Sequence, residues 1–325
     1  MVLGPVFKEQ GATRSLKEMI NNRFYRKQNR PPFSKTDWIR ASSLAHLCAR
    51  QIVLANASGT SLQDYIDPNL LFTFLHGTSL HWGFQNRLGP ALGILLGKWR
   101  CTFCGKRFGG ASDDEAAEVK ELKGKLFDEK DRERFRHLMK RQIDIDNLIL
   151  RPTKCSACGA APEDENDEWS PFEYEEQWFG EPDLRVGGHP DGFLRLPWLP
   201  GIGLLEVKSI ADAFRVRNTP DTAHVDQLQV YLRATGTYWA VVFYWSKGVY
   251  GTRAIVEHVV KRNDKRWDRI SSAATSIWKG IDTGDLPNRE CKSWRCSRAQ
   301  KCGVGALCFG ERMPEKAADV QKVDL

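Results

Sequence analysis

The sequence predicts an α/β fold in which buried strands alternate with helices. Residues 238–245 are mostly β-branched or aromatic, which is typical of a strand buried in a sheet. The apolar run 203–210 predicts a second strand, and residues 224–234 predict the helix that follows it. With 325 residues, the chain is long enough to bury a substantial core around these elements.

Further elements follow from the same patterns. The apolar spacing of Leu70, Leu71, Phe74 and Leu75 predicts a helix over 69–89. The other predicted elements are a helix over 41–56, strands over 183–188, 192–196 and 250–260, and a helix over 264–281. They divide the chain into a basic N-terminal arm (1–40), a helical part (41–97), an insertion (98–170), a core (171–285) and a cysteine-rich tail (286–325).

Composition indicates an ordinary soluble globular protein. The hydrophobic fraction is 41% and the charged fraction is 27%. No apolar run approaches the ~20 residues that cross a bilayer, and the first residues lack the apolar centre of a signal peptide. We therefore expect a cytoplasmic protein with no membrane partner. The net charge of +7 has the sign that suits a partner carrying phosphates, but it does not identify one.

Nine cysteines in a chain expected to be cytoplasmic argue for metal ligation, because reducing compartments keep thiols free of disulfides. Two Cys-x2-Cys-Gly knuckles, Cys101/Cys104 and Cys155/Cys158, lie near the two ends of the insertion. Such a tight turn lets two thiolates grip one ion, and its glycine relieves backbone crowding. Together the knuckles predict a zinc ribbon, with free thiols or a redox pair as alternatives. Between them, the pattern of residues 113–148 predicts one or two amphipathic helices attached to the ribbon, with their charged side chains on a solvated face.

Two acids and a lysine are the strongest candidates for chemistry. Asp191 stands at the end of a predicted strand, and Glu206 and Lys208 lie two residues apart in the next strand. Because alternate residues of a strand share a face, Glu206 and Lys208 point together while Val207 turns into the core. Carboxylates bind Mg²⁺, and a lysine beside bound water can orient it for attack on a phosphate. An incidental surface cluster is the alternative, but charges in a buried strand need a partner or a metal.

This pattern resembles the PD-(D/E)XK nucleases, with Asp191 after a proline and Glu206 and Lys208 in the E-x-K positions. Two more segments are similar to the RecB family of these nucleases. They are Gly77, His81 and Gln85, spaced to share one helical face, and Gln227 and Tyr231, one helical turn apart. The resemblance runs from about residue 77 to residue 231. It implies a restriction-endonuclease-like core with a mixed central sheet flanked by helices.

The resemblance also implies a role for each residue. Mg²⁺ or Mn²⁺ would be bound by Asp191, Glu206, His81 and the backbone carbonyl of Val207, while Lys208 positions the attacking water. A structural histidine in the core is the alternative for His81. The family's Gln-xxx-Tyr motif faces the active site and helps to hold DNA or the catalytic strand, which would be the role of Gln227 and Tyr231. Helix packing is the alternative for that pair.

The cysteines outside the insertion resemble those of iron–sulfur RecB-like nucleases, among them CRISPR-associated exonucleases and phage relatives. The segment 42–54 around Cys48 is similar to the family's first cluster segment, and the partners would be Cys296, Cys302 and Cys308, with Cys291 as a substitute. The resemblance implies a [4Fe–4S] cluster that ties the chain ends together. The spacing departs from the family's Cys-x2-Cys-x5-Cys. Because thiolates suit both metals, a second zinc or simple thiols stay open.

The function implied by the resemblance is that of a metal-dependent deoxyribonuclease, in particular an exonuclease acting on single-stranded ends or overhangs. One alternative is a nucleic-acid-binding or assembly module that does not cleave. The other is a sequence- or structure-specific endonuclease. The expected partner is DNA, to which the basic arm adds a contact unless it is merely a solvated extension. Recombination, CRISPR-adaptation or phage replication proteins, in a bacterial or phage-infected cell, are the compatible protein partners.

Overall fold

A computed structural model describes residues 38–310, apart from residues 47, 60–67, 125–127, 145–146, 163–169 and 249–250. Most of the predicted basic arm therefore lies outside the described residues. The strands are β1 (Ile39–Arg40), β2 (Leu95–Leu96), β3 (Lys98–Cys101), β4 (Arg107–Phe108), β5 (Phe172–Glu175), β6 (Phe179–Glu181), β7 (Val186–Gly188), β8 (Gly192–Leu194), β9 (Gly203–Ile210), β10 (Trp239–Ser246) and β11 (Ile255–Lys261).

The helices include one π-helical turn, Phe84–Leu88, which directly continues a longer α-helix. The α-helices are α1 (Ala41–His46), α2 (Ala49–Ser58), α3 (Pro68–Gly83), α4 (Gly89–Ala91), α5 (Asp113–Lys123), α6 (Glu129–Gln142), α7 (Thr222–Thr235), α8 (Asp264–Thr283), α9 (Ser297–Gln300) and α10 (Gly305–Phe309). Within the described part of the chain, none of them has the length and apolar character that crossing a bilayer requires.

The central sheet has five strands in the order β11-β10-β9-β8-β2. Strands β9 and β10 run parallel, and the other neighbours in the sheet are antiparallel. Helix α7 packs against β9 and β10, and α3 also packs against β9. The predicted mixed α/β architecture, with helices flanking a mixed sheet, is therefore confirmed.

Alternation along β9 separates two apolar layers. Leu204 packs in the layer that contains α7, whereas Val207 packs in the layer on the opposite face. Because Glu206 and Lys208 alternate with Val207, their side chains point toward α7. The register of one strand thus brings both charged residues next to the helix that carries the Gln-xxx-Tyr motif.

The two helices predicted within the insertion are present as α5 and α6, but they do not hang on the ribbon alone. Phe135 of α6 is fully buried and stacks on Trp38, with ring centroids 5.4 Å apart. Leu138 of α6 and Leu122 of α5 join the same core cluster. Their apolar stripes therefore extend the core, and only the opposite faces of these helices are solvated.

A three-stranded sheet in the order β4-β3-β5 carries the first cysteine knuckle. Strand β3 ends at Cys101 and pairs antiparallel with β5, which follows the insertion in the chain. The sheet thus joins residues on both sides of the predicted boundary at residue 170. Strand β5 then runs directly into Glu176, so the ribbon is connected to the segment that carries this acid.

Candidate functional site

Asp191 lies between β7 and β8, where β9 fixes both its backbone and its side chain. Its N–H donates to the carbonyl of Leu205 at 3.1 Å. Its Oδ2 accepts a hydrogen bond from the N–H of Val207 at 2.6 Å. These two bonds hold the buried carboxylate of Asp191 beside Val207, the residue after Glu206 in β9. The other carboxylate oxygen, Oδ1, faces His81.

Glu206, Lys208, Gln227 and Tyr231 form one hydrogen-bonded network. Lys208 Nζ lies 2.6 Å from Glu206 Oε1 and donates to Gln227 Oε1 at 3.2 Å. Gln227 Nε2 donates to Glu206 Oε1 at 2.8 Å and to the Tyr231 hydroxyl at 3.2 Å. A Cβ at Gly188 would lie 2.7 Å from that hydroxyl, so the glycine leaves room for the tyrosine. The residues that the sequence pattern singled out are thus brought together.

The helix α3 and its π-helical continuation approach the site from the other side of β9. A Cβ on Gly77 would lie 3.0 Å from Ser209 Oγ, so this glycine permits a close approach of helix to strand. His81 Nδ1 lies 3.2 Å from Asp191 Oδ1. Gln85 Nε2 donates to the backbone carbonyl of Asp191 at 2.8 Å. Two members of the predicted helical frame therefore contact the same acidic residue.

Glu176 is a site residue that the sequence analysis missed. Its carboxylate accepts a hydrogen bond from Gln85 Nε2 at 2.9 Å. His81, Glu176 and Asp191 form what we call the acid–histidine group, in which candidate ligand atoms all lie within 4.8 Å of one another. Within the described residues, Glu206 belongs to no such group. The only sequence signal for Glu176 is an acid after a strand, a pattern that its neighbour Glu175 shares.

Charge and burial oppose each other in this site. Burial raises the pKa of Glu206, and the neighbouring carboxylate of Asp191 adds to this rise, although Lys208 acts against it. Burial disfavours the charged forms of Lys208 and His81, but the carboxylates beside them outweigh this effect and raise the pKa of each. The ammonium of Lys208 is thus held in its charged form inside the protein.

The side chains present fit a divalent cation. Glu206 Oε2 is buried and has no hydrogen-bond partner among the described residues. An unsatisfied buried carboxylate oxygen is costly, and a cation beside it removes that cost. Carboxylate oxygens with one imidazole suit Mg²⁺ or Mn²⁺. The residues grouped closely enough to hold the ion are His81, Glu176 and Asp191, whereas ligation by Glu206 and by the carbonyl of Val207 stays a prediction.

The four cysteines of the two knuckles meet in space. Cys101 Sγ lies 3.7 Å from Cys158 Sγ, and Cys104 Sγ lies 3.6 Å from Cys155 Sγ. Four sulfurs placed tetrahedrally 2.3 Å from a zinc ion would lie about 3.8 Å apart, so this spacing fits one ion. The N–H of Gly105, whose φ is 74°, donates to the carbonyl of Cys101 and closes the first turn. The group can therefore hold a metal ion.

The tail cysteines lie beside α2, so the two ends of the described chain meet. A small cavity of about 20 Å³ between them is lined by Cys48, Cys291, Cys302 and Cys308, among others. Cys296 contacts Cys291 but does not line this cavity. The observed lining thus includes the residue predicted only as a substitute. Ligation by any of these cysteines stays a prediction.

Several contacts tie the tail to the N-terminal helices. Arg298 Nη2 donates to the carbonyl of His46 at 3.0 Å, and Arg50 Nη1 donates to the carbonyl of Pro287 at 2.9 Å. Within the described residues, no three of the tail sulfurs lie within 4.8 Å of one another. Their arrangement therefore differs from that of the knuckle cysteines, which are gathered closely enough for a single ion.

Comparison with known proteins gives only distant similarities. No protein-family model matches the chain, and no curated protein matches it. An alkaline exonuclease from Laribacter hongkongensis, alone or in complex with dAMP, is 16% identical over 31% of this chain and 51% of its own, with a TM-score of 0.27. The protein SSO0001 is 12% identical over 83% of this chain and 88% of its own, with a TM-score of 0.36. The chain thus spans about half the length of the exonuclease, and similarity at this level supports no argument about function.

Proposed function

We propose that the protein is a metal-dependent deoxyribonuclease with a PD-(D/E)XK core of the RecB-like type. The observation that carries this proposal is the network that holds Lys208 between Glu206 and Gln227, beside an unsatisfied oxygen of Glu206. A module that only bound DNA would have no use for a buried ammonium beside a carboxylate with one oxygen that lacks a hydrogen-bond partner. The combination is explained when a cation and a phosphate complete the site.

In the proposed mechanism, Asp191, Glu206 and His81 hold Mg²⁺ or Mn²⁺, with Glu176 as a further ligand in reach. When bound, the ion polarises the scissile phosphate and lowers the pKa of the attacking water. Lys208 orients that water or neutralises the charge that develops on the phosphate. Glu206 and Gln227 fix the ammonium in place for this task.

We further propose that the tail holds a [4Fe–4S] cluster and that the knuckles hold zinc. The cavity lining favours Cys48, Cys291, Cys302 and Cys308 as the cluster ligands, in place of a set containing Cys296. The wide spacing of these sulfurs supports a cluster over a second zinc, since several irons and sulfides separate the thiolates. The cluster would hold the tail against α2, on which α10 already packs.

The proposed substrate is a single-stranded DNA end or overhang, and end dependence is tested with closed circles. We expect Mn²⁺ or Mg²⁺ to support complete degradation of an end-labelled linear single strand, while a circular single strand of the same sequence stays intact because it has no ends. The measurement is gel analysis of products from protein purified without oxygen. Cleavage of the circle would indicate an endonuclease. No hydrolysis of either DNA with either metal would remove the proposed activity and leave a binding module.

A further inference from the structure

We infer that a basic groove between the insertion and the core binds a single strand of DNA and leads it to the candidate active site. The groove is lined by Lys98, Lys120, Lys123, Trp178 and Glu176, among others, and we call it the lysine groove. The inference rests on the proposed nuclease function for the identity of the ligand. The binding surface itself follows from the residues below.

The position of the groove connects it to the site. Helix α5 of the insertion supplies Lys120 and Lys123, and β3 supplies Lys98. Glu176, which directly follows Glu175, the β5 partner of Lys98, also lines the groove and belongs to the acid–histidine group with His81 and Asp191. A chain lying in the groove therefore passes a candidate ligand of the catalytic metal. The insertion thus forms one wall of the path into the site.

Four basic and three acidic side chains line the groove, and three of the basic ones are lysines. The guanidinium of Arg107 is paired with Glu175 at 2.9 Å and with Asp113 at 3.7 Å, so it offsets charge on both of these acids. In the part of the chain that the structure describes, Lys98, Lys120 and Lys123 form no ion pair. Lysines that face a cavity and form no ion pair favour an anionic ligand, and phosphates spaced along a strand provide one.

Lys123 shows the lack of counter-charge most clearly. Its ammonium lies 3.8 Å from the ring centroid of Trp178, so its closest described partner is an aromatic face and not a carboxylate. Burial, together with the nearby guanidinium of Arg40, lowers the pKa of Lys123. A phosphate placed here would relieve both effects. The half-buried ammonium is therefore suited to an anion that enters the groove.

The size of the groove favours one strand over a duplex. Its cavity volume is about 580 Å³, which falls within the roughly 300–1,000 Å³ of pockets that hold drug-sized molecules. One or two nucleotides have about that size, whereas a duplex segment of several base pairs is much larger. The groove would therefore hold the few nucleotides next to the scissile phosphate.

The test is binding measured without cleavage. Anisotropy of a fluorescent 15-nucleotide oligo(dT) is recorded at several salt concentrations, with no Mg²⁺ or Mn²⁺ added, for the full chain and for a Lys98→Gln, Lys120→Gln, Lys123→Gln variant. We expect roughly a hundredfold weaker binding at 50 mM salt. The slope of log affinity against log salt should fall by about 2, because three phosphate contacts to a single strand are lost.

A matched variant removes the same charge elsewhere. Lys265→Gln, Lys279→Gln, Lys301→Gln changes three exposed lysines outside the groove and should bind as the unchanged protein does. Because Lys123 contacts Trp178, its replacement could alter the fold as well as the charge. A Lys98→Gln, Lys120→Gln double variant, whose melting temperature should be unchanged, is therefore the second measurement. Its slope of log affinity against log salt should fall by about 1.4. Equal losses in the groove and control variants, or tighter binding of a hairpin duplex than of oligo(dT), would overturn the inference. Since no cleavage is needed, a protein without nuclease activity can still pass this test, and an active nuclease can still fail it.

Discussion

Replacement of Lys208 by methionine is expected to reduce the rate of DNA cleavage by about 10²–10⁴-fold, the range associated with losing one catalytic donor or proton-transfer group. The ammonium of Lys208 bridges Glu206 and Gln227, and no other described lysine contacts these two side chains. Methionine keeps an unbranched side chain of similar length but removes the charge. The rate is measured on a linear single strand under single-turnover conditions.

The variant should remain folded, which makes the result interpretable. Removing one partner of a buried ion pair costs about 3–5 kcal/mol when the other charge stays ionised. Burial already raises the pKa of Glu206, so this carboxyl can take up a proton when Lys208 is gone. Lys279→Met, which alters an exposed lysine far along the chain, is the matched control and should cleave normally. A Lys208→Met protein that cleaves at the unchanged rate would remove the proposed role of this residue.

Loss of the proposed zinc site is expected to lower both stability and cleavage, although the knuckles do not touch DNA in the proposed mechanism. Cys155→Ser removes a buried thiolate from the four-sulfur group. The melting temperature should fall by roughly 6 °C, the shift that a loss of about 4 kcal/mol causes in a chain of this length. Because β3 pairs with β5, and β5 leads into Glu176, cleavage should fall at least tenfold as that acid loses its position.

Metal analysis accompanies this variant. The unchanged protein, purified without oxygen, should contain one zinc and about four irons per chain and absorb broadly near ~400 nm. Cys155→Ser should lose the zinc and keep the iron, whereas Ser156→Ala in the same knuckle should keep both. Two zincs and no iron in the unchanged protein would contradict the proposed cluster. A zinc-free variant with normal melting and cleavage would contradict the structural role of the ribbon.

The elements that form the site could be predicted because each follows from a local pattern. The strand predicted over 203–210 is observed as Gly203–Ile210, and the helix predicted over 224–234 extends over Thr222–Thr235. Period-two alternation places Glu206 and Lys208 on one face of the strand, and a four-residue spacing places Gln227 and Tyr231 one turn apart on one face of the helix. Such periodicities are properties of a single helix or strand, so they can be predicted without knowing which other elements it packs against.

The parts that could not be predicted depend on pairing between distant segments. Nothing in the local sequence shows that residues 98–101 pair with residues 172–175, yet this pairing delivers Glu176 to the site. The apolar stripe of α6 indicates a buried face, but it does not show that Phe135 meets Trp38. The preference for Cys296 over Cys291 likewise came from sequence similarity alone, whereas the lining of the cavity depends on how the tail folds back.

The central claim is that one cation lies among Asp191, Glu206 and His81. The most direct measurement is anomalous diffraction at a manganese-sensitive wavelength from crystals of the unchanged protein soaked in Mn²⁺, with Asp191→Asn crystals treated identically. We expect one strong peak between these side chains and close to Glu176, with Glu206 Oε2 about 2.2 Å from the manganese ion. The Asp191→Asn crystals should show no such peak. Protein that cleaves DNA with Mn²⁺ while its crystals show the ion elsewhere, with none between these residues, would contradict the account.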